Sequence, residues 1–142
     1  MSKSNTQETA YLKLIFQNIA MANVGDASGI QPSATAGSLY IALYTSDPTD
    51  ADTGTEANYT GYARVGVVRS VAGWTVSGNT VTNAETITFP ISTGGTNLIT
   101  HFGIRTASTG GDLIGSGTAT NITFTSGDTP KYNIGDITIT ED

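Results

Sequence analysis

The stretch Ser38 to Pro48, SLYIALYTSDP, constrains the fold of this chain more than any other. Side chains alternate along a strand, so Leu39, Ile41 and Leu43 share one face and Tyr40, Ala42 and Tyr44 the other. Both faces are apolar or aromatic, which predicts a strand inside a sandwich and not on a half-wet sheet. Ser46-Asp47-Pro48 then ends it. Proline disfavours helix for the residue before it and donates no ladder bond, and aspartate bonds readily to turn backbone.

Downstream the chain reads as strands and turns. Tyr62 to Ser70 alternates in part, with Gly66 marking a bulge or close approach. Trp74–Val76 and Thr80–Thr82 flank Ser77-Gly78-Asn79, a hairpin signal. Glu85 to Phe89, Asn97 to Ile104, Asp112 to Ser116, Ala119 to Thr125 and Ile134 to Thr140 follow, with Gly117 separating two of them. The 25 threonines favour a pleated surface, and the 17 glycines allow frequent turns. The expected fold class is all-β: an antiparallel β-sandwich, jelly-roll-like, with one N-terminal α-helix. No heptad seam, Gly-X-Y run or fixed repeat is present, which excludes a coiled-coil, collagen or solenoid shaft.

The helix is expected from about Glu8 to Asn23, after a polar arm from Met1 to Gln7. Leu12, Ile15, Phe16 and Ile19 recur at helical spacing, Asn5 with Glu8 offers a start, and Asn23-Val24-Gly25 a stop. Tyr11, Leu14 and Met21 widen the apolar surface beyond one stripe. They are the candidate protein-interface residues, because exposed apolar patches mark contacts. The plainer alternative is that the helix only closes one end of the sandwich. Asp26 to Gly37 reads as a small-residue linker. At 142 residues, the expectation is a single domain over 1–142, with arm and helix over about 1–25.

Composition removes several function classes. No cysteine is present, so disulfides, thiolate metal sites and a cysteine nucleophile are excluded. Six scattered bases and a net charge of −6 argue against nucleic acid, whose phosphates call for clustered Lys and Arg. No apolar run is long enough for a bilayer, and the N-terminal segment, interrupted by Lys13, Gln17 and Asn18, is not a signal peptide.

The acidic stretch from Asp47 to Gly61 holds Asp47, Asp50, Asp52 and Glu56 with no base among them, and reads as an exposed loop. Asp50-x-Asp52-x-Gly54 alternates hard oxygen ligands as calcium loops do, but the rest of the EF-hand spacing is missing. Asp50 and Asp52 are therefore a weak calcium candidate, and a solvated turn is the preferred state. His101 sits in a strand-like run with no G-x-S-x-G elbow in the chain, and packing explains it better than catalysis. Gly115-Ser-Gly117 lacks the third glycine and the helix of a phosphate loop, and reads as a turn. No catalytic residue, cofactor site or metal site is expected; the chain reads as not an enzyme. Trp74 with Tyr40, Tyr44, Tyr59 and Tyr62 would suit a sugar-stacking platform, although core packing is preferred for Trp74.

The order LYIALYTSDP (Leu39–Pro48), GYAR (Gly61–Arg64), a lone Trp74, NAETITFP (Asn83–Pro90), ITHFGI (Ile99–Ile104), GGDLIGSG (Gly110–Gly117) and IGDITIT (Ile134–Thr140) resembles a family of small tailed-bacteriophage virion structural proteins, commonly labelled phage tail fibre proteins. The resemblance covers nearly the whole chain and is carried by the order of the motifs. It implies a virion component without catalysis, made in the host bacterial cytoplasm. A chain of this length without a shaft suits a knob, a fibre-attachment collar or a capsid decoration (cement) protein. The partners expected are other virion proteins and further copies of the chain, trimer before dimer. A carbohydrate-binding receptor-recognition module at the tail is the alternative.

Overall fold

The structure, a computed structural model, describes residues 2–141; Met1 of the expected arm and the terminal Asp142 lie outside the described residues. Its elements are those of the expected class, antiparallel β-sheets with one N-terminal helix. Along the chain come α1 (Asn5–Gln17), β1 (Ser38–Tyr44), β2 (Val65–Val68), β3 (Trp74–Ser77), β4 (Thr80–Asn83), β5 (Ile87–Thr88), β6 (Asn97–Arg105), β7 (Leu113–Phe124), β8 (Lys131–Tyr132) and β9 (Thr138–Thr140). Two compact units are assembled from separate stretches. Met1–Ser38, Val68–Glu85 and Asn133–Asp142 form the first, and Leu39–Val67 with Thr86–Tyr132 the second.

In the second unit, β1 lies inside a four-stranded sheet of order β2-β1-β6-β7. It runs antiparallel to β6, with Ile41 opposite Ile104, Leu43 opposite Phe102 and Tyr44 opposite His101. Leu39, Ile41, Ala42, Leu43 and Tyr44 are all buried, so both faces of the strand are covered, as its sequence predicts. Two glycines make that packing fit. A Cβ on Gly103 would stand 2.7 Å from Tyr44 Cε2 and 2.9 Å from Leu113 Cδ1, so the tyrosine ring occupies space that only glycine leaves free. A Cβ on Gly117 would stand 2.7 Å from Phe102 Cζ. This corrects the reading of Gly117 as a break: β7 runs unbroken through Gly115-Ser-Gly117, because the Phe102 ring takes the side-chain space there.

A relay of aromatic rings fills this unit. Tyr59 meets Tyr62 edge-on at 5.4 Å, Tyr62 stacks on Phe89 at 6.5 Å, and Tyr132 stands edge-on to both Phe89 and Phe102. Edge-to-face pairs of this kind add to the area they bury. The short pair β5–β8 brings Ile87 opposite Tyr132 and so delivers the last ring to the relay.

In the first unit, the β3–β4 hairpin closes through Gly78-Asn79, with Gly78 at φ 60 as a two-residue primed turn requires. β9 extends it to a three-stranded sheet of order β3-β4-β9. The helix is shorter and earlier than expected, Asn5–Gln17 in place of about Glu8 to Asn23. Ser4, not Asn5, is the N-cap, and Asn18 ends the helix by turning left-handed at φ 55. The Ile19 amide reaches back to the Lys13 carbonyl at 3.2 Å and so satisfies one of the carbonyls at the end of the helix. Leu12 and Phe16 are buried together with Glu8, and Phe16 stands edge-on to Trp74 at 4.9 Å. Each fully buried side chain of this size stabilises by about 1.5–3 kcal/mol. Buried Asn83 ties three separate stretches, donating to the Glu85 and Asn133 carbonyls and accepting from the Ile137 amide. Among the described residues, no helix is long and apolar enough to cross a membrane.

Candidate functional site

The first unit carries a pinned apolar loop after α1. Asn18 holds it at one end: its Nδ2 donates to the Ser33 carbonyl and its Oδ1 accepts from the Ser33 amide, each at 2.9 Å. Met21 and Ile30 exchange two backbone hydrogen bonds of 2.9 Å. Within the loop, Asp26 Oδ1 accepts from the Ser28 and Gly29 amides and shapes the turn. Arg69 holds the other side, donating to the Leu14 and Ile15 carbonyls at 2.7 and 2.6 Å and to the Ala36 carbonyl at 3.1 Å. A guanidinium here also satisfies the negative end of α1, whose last turn holds no base of its own.

The loop from Asn18 to Ser33, which takes in the first part of the stretch that reads as a linker, is therefore pinned at both ends. Ile19, Val24 and Ile30 on it are 42%, 39% and 45% exposed. Ile19 shares the helical spacing of Leu12 and Phe16 but is not buried with them, because the helix stops at Gln17 and carries the chain off that face. Tyr11, Leu14 and Met21 are half-buried, and the Lys3 ammonium lies 5.7 Å from the Tyr11 ring centre. The space between Thr6, Thr9, Ala10 and Lys13 of α1 and Ile19, Ala20 and Ala22 after it is an open groove of about 650 Å³. Sequence spacing pointed to the helix and missed Val24 and Ile30, which have no periodic pattern to mark them.

The second unit carries two arginine clasps on the acidic loop. Arg105 donates to both carboxylate oxygens of Asp52 at 2.7 and 2.8 Å, to the Tyr44 hydroxyl at 2.7 Å and to the Gly111 carbonyl at 2.7 Å. Arg64 grips Glu56 with Nε and Nη2 at 2.8 and 2.7 Å and reaches the Ala107 and Gly110 carbonyls with Nη1. The Tyr62 hydroxyl donates to the same Glu56 and accepts from the Leu43 amide. Both arginines thus fasten the acidic loop to the loop after β6. Bidentate pairs of this geometry fix position as well as charge.

The hydrogen bonds from Arg105 hold the Asp52 carboxyl below the usual range, against the smaller effect of burial. Burial pushes the Glu56 carboxyl up, but hydrogen bonds from Arg64 and Tyr62 together outweigh it and leave it below the usual range. Burial, and then the bond to Glu56, push the Tyr62 phenol far above its ordinary value. Asp52 is held at φ 53, a left-handed conformation that aspartate tolerates and that serves the grip.

The calcium candidates are thus placed apart in role: Asp50 is exposed, and both oxygens of Asp52 face Arg105. A cation there has to compete with a guanidinium. His101 lies on β6, its Nδ1 2.8 Å from Thr100 Oγ1 and its Nε2 3.8 Å from an Asp47 oxygen. Trp74, Tyr44 and Tyr59 are buried, and Tyr62 is stacked within the relay, so these rings do not form an open sugar platform. Beside the Arg64 clasp, Glu56, Tyr62, Ser108 and Thr109 line an open cleft of about 410 Å³.

No curated protein matches the chain. Over residues 2–140 it matches the model of the family described as podophage GP4 fiber I protein gp80, and the chain belongs to that family.

Proposed function

We propose that this protein is a non-enzymatic structural module of a tailed-phage virion, present in several copies and attached to other virion proteins through the first unit. The family description names a podophage fiber protein, which supports a fibre or fibre-attachment role, with capsid decoration as a related structural role. The observation that carries the docking surface is the pinned loop: three large apolar side chains, Ile19, Val24 and Ile30, stay exposed on a segment held by Asn18, Arg69 and the Met21–Ile30 bridge. Rigid exposed apolar groups lose little freedom on binding, which is how a small contact becomes useful. Tyr11, Leu14 and Met21, half-buried in the same unit, are taken as further interface residues. Many such contacts on a symmetric particle sum to firm attachment.

Incorporation into particles tests this. Ile19→Ser with Ile30→Ser, and separately Tyr11→Ser with Leu14→Ser, should fold and yet load onto particles at well below the wild-type level. Wild-type loading by both folded pairs would refute the docking surface. Tight binding of the purified protein to host polysaccharide would instead favour receptor recognition.

A further inference from the structure

The two edges of the four-stranded sheet are finished differently. β2 is four residues long, with Arg64 just before it and Arg69 just after. Short length is a usual means of keeping an edge from pairing, and both arginines are turned to other partners, Arg64 to Glu56 and Arg69 to the end of α1. β7 is twelve residues long, Leu113–Phe124, and contains no charged residue and no proline. Its inner side pairs with β6, and no strand among the described residues pairs with its outer side. The pairing slips opposite Thr100, where Ala119, Thr120 and Asn121 lie between the partners of His101 and Ile99. A second slip leaves Ile114 between the partners of Arg105 and Ile104; the two bulges twist the edge and add no charge to it. Thr118 and Thr120 to Thr123 are exposed.

We propose that β7 is a self-association edge, on which two copies of this chain pair antiparallel about a two-fold axis. Unpaired backbone N–H and C=O groups along an edge are satisfied by an incoming strand. A second copy fits because an antiparallel pair of identical strands is self-complementary, so one edge supplies both halves of the contact. The chain carries a net charge of −6, and copies repel where their acids meet; β7 lets them meet without a carboxylate on the strand. Such a contact closes as a dimer, not as the trimer that the sequence reading favours. It uses none of the loop residues of the first unit and rests on the virion reading only in taking several copies to be present.

Sedimentation of the full chain reads the outcome directly. The wild type should have twice the monomer mass, and Thr120→Lys with Ile122→Lys should halve it, because two ammonium groups on each copy repel across the axis. An unchanged circular dichroism spectrum and melting temperature show that this variant is folded. The chain has no cysteine, so Thr120→Cys gives a second measurement that does not need the lysines. Oxidation should link its copies far more than those of Thr75→Cys, which is exposed on β3. Leu14→Ser, aimed at the other surface, should stay dimeric while loading poorly onto particles. A monomeric wild type, an unchanged mass in the folded lysine variant, or equal linking of the two cysteine variants would overturn the proposal.

Discussion

Asp52 and Glu56 show what a carboxylate does when its arginine is supplied by a distant part of the chain. Arg105 is buried, so removing its counter-charge leaves a guanidinium poorly compensated. Asp52 is itself about one-third exposed, which screens the pair. Between those limits, Asp52→Asn should cost about 1–2 kcal/mol, while exposed Asp50→Asn should change melting by less than a degree or two. The pH dependence follows from the same pairs. Both carboxyls titrate lower in the folded chain than in the unfolded one. Their stabilisation is therefore full above the unfolded pKa values of about 4 and is lost as pH falls through the lower folded values. Melting temperature should drop as pH falls from about 5 toward 3, and Glu56→Gln should lower it at neutral pH while flattening that drop. The acidic run was plain in the sequence. Its partners were not, because Arg105 is 53 positions from Asp52, and nothing local marks that pairing.

β1 was legible because its pattern leaves no solvent face: apolar and aromatic residues at every position from Leu39 to Tyr44 require cover on both sides. Its place between β2 and β6 meets that requirement. The other elements were legible in type more than in extent. α1 ends at Asn18 and not near Asn23, since the Asn18 side chain gains two bonds to Ser33 by leaving the helix. β7 runs through two glycines that read as a turn, since Phe102 covers Gly117 from the neighbouring strand. The fit of β1 against β6 can be tested at Gly103. Gly103→Ala puts a methyl within 2.7 Å of the Tyr44 ring, and Tyr44 is also a partner of Arg105. Overpacking of this kind should cost about 1–3 kcal/mol in denaturant unfolding; an unchanged midpoint would mean that the ring moves aside freely.

At the scale of the whole molecule, the single tryptophan reports on the first unit alone. Trp74 is fully buried against Phe16, so Phe16→Ala opens a cavity beside it. That variant should lose about 3–5 kcal/mol in unfolding followed by tryptophan emission, with a red-shifted native spectrum. An unshifted spectrum would show that the helix does not seal this core. What the sequence by itself determined was the class: strand periodicity, threonine and glycine usage, one amphipathic helix, and motif order matching a phage fibre family. Those are local or compositional properties, and local physics is enough to set them. Only the tertiary structure decided which acids meet arginines, which glycines lie beneath rings, which apolar residues stay outside on the Asn18–Ser33 loop, and which strand is left as a bare edge. Each of these depends on residues far apart in the chain coming within a few ångströms, and no periodicity in the sequence encodes such a distance.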